Sequence, residues 1–261
     1  MIVIKSDSEI QAMIKAGRVL GKTFDMIAPY IVPGVSTLTL DRLVEKFLRE
    51  QGSKPSFKNF EGFPGSICAS VNDVLIHGIP SSKVILREGD ILSIDMGNIF
   101  HSYQGDAART YRVGKVSEEA DRLIKCTEEC FYNALSKVHV GGHLSDISAA
   151  ISEIANKYGY STTKEYGGHG IGREMHEDPF IFNYGEPGHG PILREGMCLA
   201  IEPMIHQGTA AIRNLDDGWG VASEDGKMTC HYENTIYIDK DGGHITTIDK
   251  NVEGHLLNVE R

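Results

Sequence analysis

Four acidic residues stand in positions that are unusual for solvated surface charges. Asp95 and Glu202 each follow an isoleucine inside a strand-like apolar stretch. Asp106 follows Asp95 by 11 residues (106 − 95) across a glycine-containing turn, as a hairpin partner would, and Glu233 opens a β-branched segment. Burying an ionised carboxylate alone is costly, so buried acids are normally paired or bound to a metal. Together, these four would need cations to neutralise them.

Two divalent cations would cancel the charge of four carboxylates, and a histidine would complete such a ligand set. His169 lies between Gly168 and Gly170, which permits a close approach. A site of oxygens with one imidazole suits Mn, Fe, Co or Zn better than a thiolate site would. From spacing alone, the acids fit either a two-metal centre or a scatter of unrelated charges.

The composition excludes several classes of protein. The 261 residues are 41% hydrophobic and 24% charged, which predicts a globular fold with a sizeable core. With 26 Lys+Arg against 36 Asp+Glu, the net charge of −10 repels phosphate backbones, so no nucleic-acid partner is expected. No apolar run reaches the roughly 18 residues that span a bilayer, and no signal-peptide pattern opens the chain. Five cysteines without a C-x-x-C pair favour reduced thiols, and hence a cytoplasmic location.

The chain repeats itself at an offset of 107 (193 − 86). Residues 86–89, Leu-Arg-Glu-Gly, reappear at 193–196, and six residues beyond each glycine stands Asp95 or Glu202. Each half, approximately 8–113 and 117–238, contains two amphipathic helical patterns followed by strand-like segments. We therefore predict an α/β (α+β) fold in which two similar halves form a single catalytic domain over 1–261, with one site at their seam.

Local patterns predict where several elements begin and run. Ser6 with Glu9 is typical of a capping box before the first helix, and Ser117 leads into the third. The predicted strands include 67–71, 91–99, 103–113, 197–205 and 235–238.

Residues 166–184 resemble the signature of type I methionine aminopeptidases of the bacterial type, in peptidase family M24. The match includes the Gly-His-Gly around His169, the second histidine His176 and the closing Asn183-Tyr184. The similarity runs from about Ser8 to Thr247. Further matches, in the family's order and spacing, surround His77, Asp95, Asp106, Glu202 and Glu233.

The resemblance implies a pita-bread fold of two pseudo-twofold halves, each with two helices and antiparallel strands, in agreement with the repeat. It also implies a methionyl aminopeptidase, which removes the N-terminal methionine when the second residue is small, through a hydroxide that bridges two metal ions. The two divalent ions per chain would be Co, Mn, Fe, Zn or Ni. The implied ligands, of which Asp106 and Glu233 bridge both ions, are Asp95, Asp106, His169, Glu202 and Glu233.

The same resemblance assigns further roles. Glu202 would also shuttle a proton, His176 would hydrogen-bond the developing oxyanion, and His77 would hold the scissile nitrogen. The family positions of the methionine pocket are Phe57, Phe60, Phe63, Cys68, Met175 and Trp219, although such an aromatic run alone is more typical of core packing. The implied partners are nascent polypeptide N-termini and short Met-peptides, with transient ribosome contact left open. We expect a monomer.

Three other functions are compatible with parts of this pattern. Proline-specific pita-bread peptidases would use the same five ligands but usually carry an extra N-terminal domain, and only about seven residues precede the first helix here. Type II methionine aminopeptidases usually carry a helical insertion, whereas only 33 positions (202 − 169) separate His169 from Glu202. A non-catalytic partner-binding protein of this fold typically loses ligands, and this chain keeps all five.

The chain departs from the family pattern beside the site. Asn234 stands where the family commonly has histidine, and His231 lies two residues before Glu233. Glu174 and Met175 replace the usual Gly-Phe ahead of His176. These departures concern the shape of the pocket and the tuning of the metals.

Overall fold

Four α-helices are present in the computed structural model, which describes residues 1–248. The side chains of Ser36 and Ser117 cap two of them by accepting hydrogen bonds from the backbone N–H groups of Thr39 and Ala120. None of the described helices is long and apolar enough to cross a membrane. The helices are α1 (Asp7–Ile27), α2 (Thr37–Glu50), α3 (Glu118–Leu135) and α4 (Leu144–Tyr158).

The described strands are mostly short, and two long ones form the central hairpin. They are β1 (Lys54–Pro55), β2 (Cys68–Val71), β3 (Val74–Ile76), β4 (Ile91–Phe100), β5 (Tyr103–Arg112), β6 (Ser161–Thr162), β7 (Gly167–Gly170), β8 (Glu177–Phe182), β9 (Cys198–Ile201), β10 (Met204–His206), β11 (Ile212–Asn214), β12 (Val221–Ser223), β13 (Thr229–His231), β14 (Glu233–Asp239) and β15 (Gly242–Ile245).

A nine-stranded antiparallel sheet connects the two halves of the chain. Its strands run in the order β1-β4-β5-β14-β9-β7-β8, with β2 paired to β4 and β15 paired to β14. Strand β14 pairs with β5 of the first half and with β9 of the second. The seam between the halves therefore lies along β14, the strand that Glu233 begins.

Each half has its own hydrophobic core, built by its pair of helices. One core combines residues of α1 and α2 with the inner sides of β2, β4 and β5. The other combines α3 and α4 with β9 and β14. Two helices with strands in each half are the arrangement that the repeat predicts, and the mixed α/β class is confirmed.

Strand alternation separates the helix-packed face of the sheet from the face that carries the acids. Successive side chains of a strand point to opposite faces. Ile94 and Met96 are fully buried in the first core, so positions 95 and 97 face the opposite side of the sheet. Gly97 lies opposite Asp106 in the β4–β5 register, which brings Asp95 and Asp106 to the same face.

The predicted continuous strand over residues 197–205 is wrong. Residues 197–205 do not form a continuous strand but split into β9, in the large sheet, and β10, in a three-stranded sheet with β6 and β13. The break falls at Glu202-Pro203, because proline has no N–H to continue the ladder. Glu202 consequently lies just beyond the end of β9, where its side chain reaches over the sheet.

Candidate metal centre and cleft

A cavity of about 150 Å³ lies over the acid-bearing face of the sheet. All thirteen residues that the sequence predicts for the site line it, together with Glu61. The lining is Phe57, Phe60, Glu61, Phe63, Cys68, His77, Asp95, Asp106, His169, Met175, His176, Glu202, Trp219 and Glu233. The fold thus unites residues from both halves of the chain in one place.

Five strands of the large sheet position the predicted ligands. Asp95 comes from β4, Asp106 from β5, His169 from β7 and Glu233 from β14, while Glu202 follows β9. In the described part of the chain, Asp95 Oδ1, Asp106 Oδ1 and Glu233 Oε1 are buried and have no hydrogen-bond partner. Buried polar atoms are normally satisfied, so three unpartnered carboxylate oxygens from residues that line one cavity indicate a cation site.

Two overlapping triads have the spacing of metal ligands. Asp106, His169 and Glu233 form one, and Glu202, His231 and Glu233 form the other, with ligand atoms within 4.8 Å of one another in each. His169 Nε2 lies 3.7 Å from Asp106 Oδ2 and 3.6 Å from Glu202 Oε1. Glu233 is common to both triads.

The tautomer of His169 suits metal binding. Its Nδ1 lies 2.8 Å from the carbonyl oxygen of Gly170, so an N–H there donates to the backbone and the lone pair is left on Nε2. Burial lowers the pKa of His169 to about 4, with further lowering from His176. The ring is therefore neutral at physiological pH, which is the form that binds a metal.

Electrostatics at the acids also favour bound cations. Burial raises the pKa of Asp106, Glu202 and Glu233 well above the ordinary range, and repulsion from neighbouring acids adds to this at Asp106 and Glu233. Burial likewise raises the pKa of Asp95 to about 7, a shift that His231 opposes and Glu202 reinforces. Divalent ions would oppose both effects, because a neighbouring positive charge stabilises the ionised carboxylates. The donor set therefore fits divalent cations.

Two further histidines face the cavity beside these acids. The ring of His176 lies 4.5 Å from that of His169 and 5.7 Å from that of Phe60, measured between centroids. The ring of His77 meets Tyr166 edge-on at 5.9 Å. Burial lowers the pKa of His176 and brings that of His77 to about 4, so both rings are neutral near pH 7.

A close backbone contact fixes His77. The residue adopts a left-handed conformation, with φ of 58°, which is unfavourable for a side chain other than glycine. The next residue, Gly78, packs so tightly on β2 that a Cβ there would lie 2.5 Å from the carbonyl oxygen of Ala69. The turn that presents His77 therefore requires glycine at position 78.

Aromatic and sulfur side chains form the apolar end of the cavity. Phe63 and Trp219 meet edge-to-face, with ring centroids 5.1 Å apart. A Cβ at Gly97 would lie 2.7 Å from Met175 Cε, so glycine on β4 leaves the space that Met175 occupies. Burial raises the pKa of the Cys68 thiol well above its ordinary value, which argues against a thiolate nucleophile.

The departures from the family pattern lie on different sides of the sheet. Asn234 points away from the acids, and its Oδ1 accepts hydrogen bonds from Arg109 Nη2 at 2.6 Å and from the Thr247 hydroxyl at 2.7 Å. Glu174 is exposed while Met175 is buried in the cavity wall. Asn234 therefore hydrogen-bonds to Arg109 of β5 and to Thr247, whereas Met175 lines the cavity.

His231 is the site residue that sequence reasoning leaves unassigned, since it stands out there only as a departure. Its side chain is 2% exposed and belongs to one of the two triads. A usable signal does exist in the sequence. His231 precedes Glu233 by two residues, and side chains two apart along an extended chain share a face.

Comparisons with known proteins agree with this geometry. Residues 11–240 match metallopeptidase family M24. The methionine aminopeptidase of Clostridium acetobutylicum is 49% identical over 248 residues, which cover 95% of this chain and 99% of that protein. The crystal structure of methionine aminopeptidase from Thermotoga maritima has a TM-score of 0.94 and 39% identity, covering 95% of this chain and 100% of that one. A prolidase from Pyrococcus furiosus is more distant, with a TM-score of 0.78 and 25% identity, and the match covers 95% of this chain but 66% of that one. The fold is thus the pita-bread fold, and the chain belongs to metallopeptidase family M24, where it groups with the methionine aminopeptidases.

Proposed function

We propose that this protein removes the N-terminal methionine from polypeptides whose second residue is small, with the help of two divalent metal ions. The observation that carries the proposal is the junction, in one cavity, of unpartnered buried carboxylate oxygens with a small apolar pocket. The similarity to methionine aminopeptidases supports the same activity.

Five side chains would hold the ions, with Asp106 and Glu233 shared between them. The set is Asp95, Asp106, His169, Glu202 and Glu233. When bound, two divalent ions lower the pKa of water and polarise a carbonyl, which supplies both a nucleophile and an electrophilic substrate. Co, Mn, Fe, Zn and Ni are all compatible with a ligand set of oxygens and imidazole nitrogen.

Glu202 is the side chain best suited to carry the proton from water to the leaving amine. Its environment raises its pKa well above the ordinary range. A carboxylate within reach of both the attacking water and the leaving amine can accept a proton from one and pass it to the other. Its location beyond β9, rather than within a strand, leaves the side chain over the cavity.

The two neutral histidines would bind the peptide group that is cleaved. His176 would donate a hydrogen bond to the carbonyl oxygen as negative charge develops there. His77, which also lines the cavity, would hold the scissile nitrogen. Neutral imidazoles are suitable for this because they add no positive charge beside the cations.

The apolar end of the cavity would receive the methionine side chain. The predicted pocket residues Phe57, Phe60, Phe63, Cys68, Met175 and Trp219 all line the cavity. A thioether is polarisable and makes favourable contacts with aromatic edges and with sulfur. The cavity of about 150 Å³ suits one unbranched side chain rather than a long segment of peptide.

The remaining parts of the proposal concern cellular context. Nascent polypeptide N-termini and short Met-peptides would be the substrates, in the cytoplasm, and the chain would act as a monomeric single catalytic domain. The acidic net charge of −10 argues against any general affinity for nucleic acid.

A comparison of peptides tests the proposal directly. Metal-loaded protein should cleave Met-Ala-Ser with a kcat/KM at least a hundredfold above that for Met-Ile-Ser, since a displacement of about 1 Å at the scissile bond costs on the order of a hundredfold in rate. Chelation should abolish both reactions, and Mn, Fe or Co should restore them. Equal values for the two peptides would sink the selectivity, and faster cleavage of Xaa-Pro peptides would favour a prolidase activity instead.

A further inference from the structure

His231 is a buried histidine whose ring faces the acid cluster. It ends β13, two residues before Glu233, and its side chain is 2% exposed. Its Nε2 has no hydrogen-bond partner among residues 1–248. The same atom lies 3.5 Å from Glu202 Oε2 and 3.8 Å from Glu233 Oε2. A buried ring nitrogen aimed at two carboxylates without bonding either calls for an explanation.

These separations are too long for hydrogen bonds but fit two ligands of one ion. Hydrogen bonds between nitrogen and oxygen are about 2.7–3.2 Å long. Two bonds of about 2.1 Å to one metal place their ligand atoms about 3.0 Å apart at right angles and about 3.6 Å apart at about 120°. An angle slightly wider than about 120° gives the 3.8 Å between His231 Nε2 and Glu233 Oε2. His231 therefore has the spacing of a ligand rather than of a hydrogen-bond donor.

His169 provides an internal standard for this comparison. Its Nε2 lies 3.7 Å from Asp106 Oδ2 and 3.6 Å from Glu202 Oε1, which is the same range as for His231. The two oxygens of Glu202 thus face different histidines, Oε1 facing His169 and Oε2 facing His231. Each histidine thus faces one oxygen of Glu202 and one oxygen of a second acid, which is Asp106 for His169 and Glu233 for His231.

The backbone around His231 fixes the direction of its ring. The His231 N–H donates to Thr110 Oγ1 at 3.2 Å, and the Thr110 hydroxyl donates to the His231 carbonyl oxygen at 2.8 Å. On its other side, His231 pairs with Met204 of β10. The ring is therefore held in place by β5 and β10 rather than by the carboxylates that it faces.

We propose that His231 is a sixth metal-binding side chain, which gives the centre a second imidazole ligand in the triad with Glu202 and Glu233. This inference rests on the proposed metal-dependent function and extends the five-residue ligand set. A nitrogen ligand in place of water or a further oxygen favours Co, Ni and Zn over Mn at that position. Affinity for Co relative to Mn should accordingly depend on His231.

The test begins with the wild-type protein loaded with Co²⁺. Each cobalt-bound histidine retains one ring N–H, which gives a hyperfine-shifted and solvent-exchangeable proton NMR signal. Two such signals are expected in the wild type, from His169 and His231. A single exchangeable signal at full cobalt loading would overturn the proposal, and this result does not depend on any variant folding correctly.

Variants then assign the second signal. His231→Gln keeps a polar side chain of similar length and should remove one signal while weakening one cobalt equivalent by tenfold or more in isothermal titration. His206→Ala is the matched control, since His206 is also fully buried with both ring nitrogens unpartnered in the described structure but lies outside both triads. The control should keep both signals and both equivalents.

The outcomes separate this inference from the proposed function. If wild-type protein binds two Co²⁺ and cleaves Met-Ala-Ser while His231→Gln binds both ions equally well, His231 is not a ligand and the proposed function stands. If wild-type protein binds no divalent ion, both proposals fail together. If His231→Gln loses one NMR signal and one tightly bound Co²⁺ while His206→Ala keeps both, the result supports His231 as the sixth ligand.

Discussion

Asp106 and Thr235 exchange two hydrogen bonds at the seam between the halves of the molecule. The Asp106 N–H donates to Thr235 Oγ1 at 3.0 Å, and the Thr235 hydroxyl donates to the Asp106 carbonyl oxygen at 2.8 Å. The backbone pairing of β5 with β14 includes only Ala107 and Ala108 of β5. The Thr235 hydroxyl therefore takes the place of the next backbone hydrogen-bonding partner. A side chain thus holds the backbone of a proposed bridging ligand.

Thr235→Val should therefore destabilise the protein by about 1–3 kcal/mol, because two buried backbone groups of Asp106 lose their partner. Chemical denaturation measures the change. Thr235→Ser is the control, since it keeps the hydroxyl and should stay much closer to wild type. Equal destabilisation by both substitutions would mean that the methyl group of Thr235, and not its hydroxyl, matters.

Asp106→Asn should lower the metal content as well as the activity. The substitution keeps the shape of the side chain but removes the charge that two ions would share, so both should bind more weakly. Elemental analysis after dialysis measures occupancy, and Asp216→Asn, at an exposed position, is the control. Normal occupancy and normal turnover in Asp106→Asn would refute the ligand assignment.

His176→Ala should reduce kcat by roughly a hundredfold, as is typical for the loss of one oxyanion donor, with metal content unchanged. Steady-state kinetics with Met-Ala-Ser and elemental analysis together measure this. His139→Ala, an exposed histidine on the surface, should leave both quantities as in wild type. Loss of metal in His176→Ala would instead move this residue into the ligand set.

Glu9 should make stability depend on pH at the start of α1. Its carboxylate accepts hydrogen bonds from the Ser6 N–H at 3.0 Å and the Tyr103 hydroxyl at 2.8 Å. These bonds, that of the Ser6 N–H first, lower the pKa of Glu9 to about 2. Because the folded pKa is depressed, the contribution to stability is complete above the unfolded pKa of about 4.3 and disappears as pH falls through about 2.

Glu9→Gln should accordingly lower Tm at pH 7, and the difference from wild type should shrink between pH 5 and pH 2. Thermal melts across that range provide the measurement. Glu119→Gln is the control, because it removes a charge from the first turn of α3, where no comparable hydrogen bonds are present in residues 1–248. If the Tm difference between Glu9→Gln and wild type is the same at every pH, the charge of Glu9 is not its cause.

Local patterns in the sequence determine the helices and the long hairpin. Amphipathic spacing predicts α1 to α4, and Ser6 and Ser117 predict where α1 and α3 begin, since these features depend on residues within a few positions of each other. Strand 197–205 fails for a related reason: its apolar run looks continuous, but Pro203 removes the N–H that a continuous ladder needs. The spacing of apolar residues shows which side chains can be buried, but it does not show which backbone hydrogen bonds form.

The identity of the candidate ligands also came from the sequence, through a family resemblance that runs over most of the chain. Spacing alone left open whether the acids form one centre or are scattered. In the tertiary structure Asp95, Asp106, Glu202 and Glu233 line one cavity. They come from four different segments, so the distances between them depend on strand register. Register is fixed by side chains far apart in sequence, and no local pattern records it.

His231 shows the limit most clearly. The sequence presents it as one histidine among 11, in a position where the family pattern differs. Only the pairing of β13 with β10, and the hydrogen bonds to Thr110, turn its ring toward Glu202 and Glu233. The sequence by itself thus determined which residue types are present and which elements form, whereas the long-range pairing of strands decided which of those residues meet, because direction and distance arise only when the chain folds on itself.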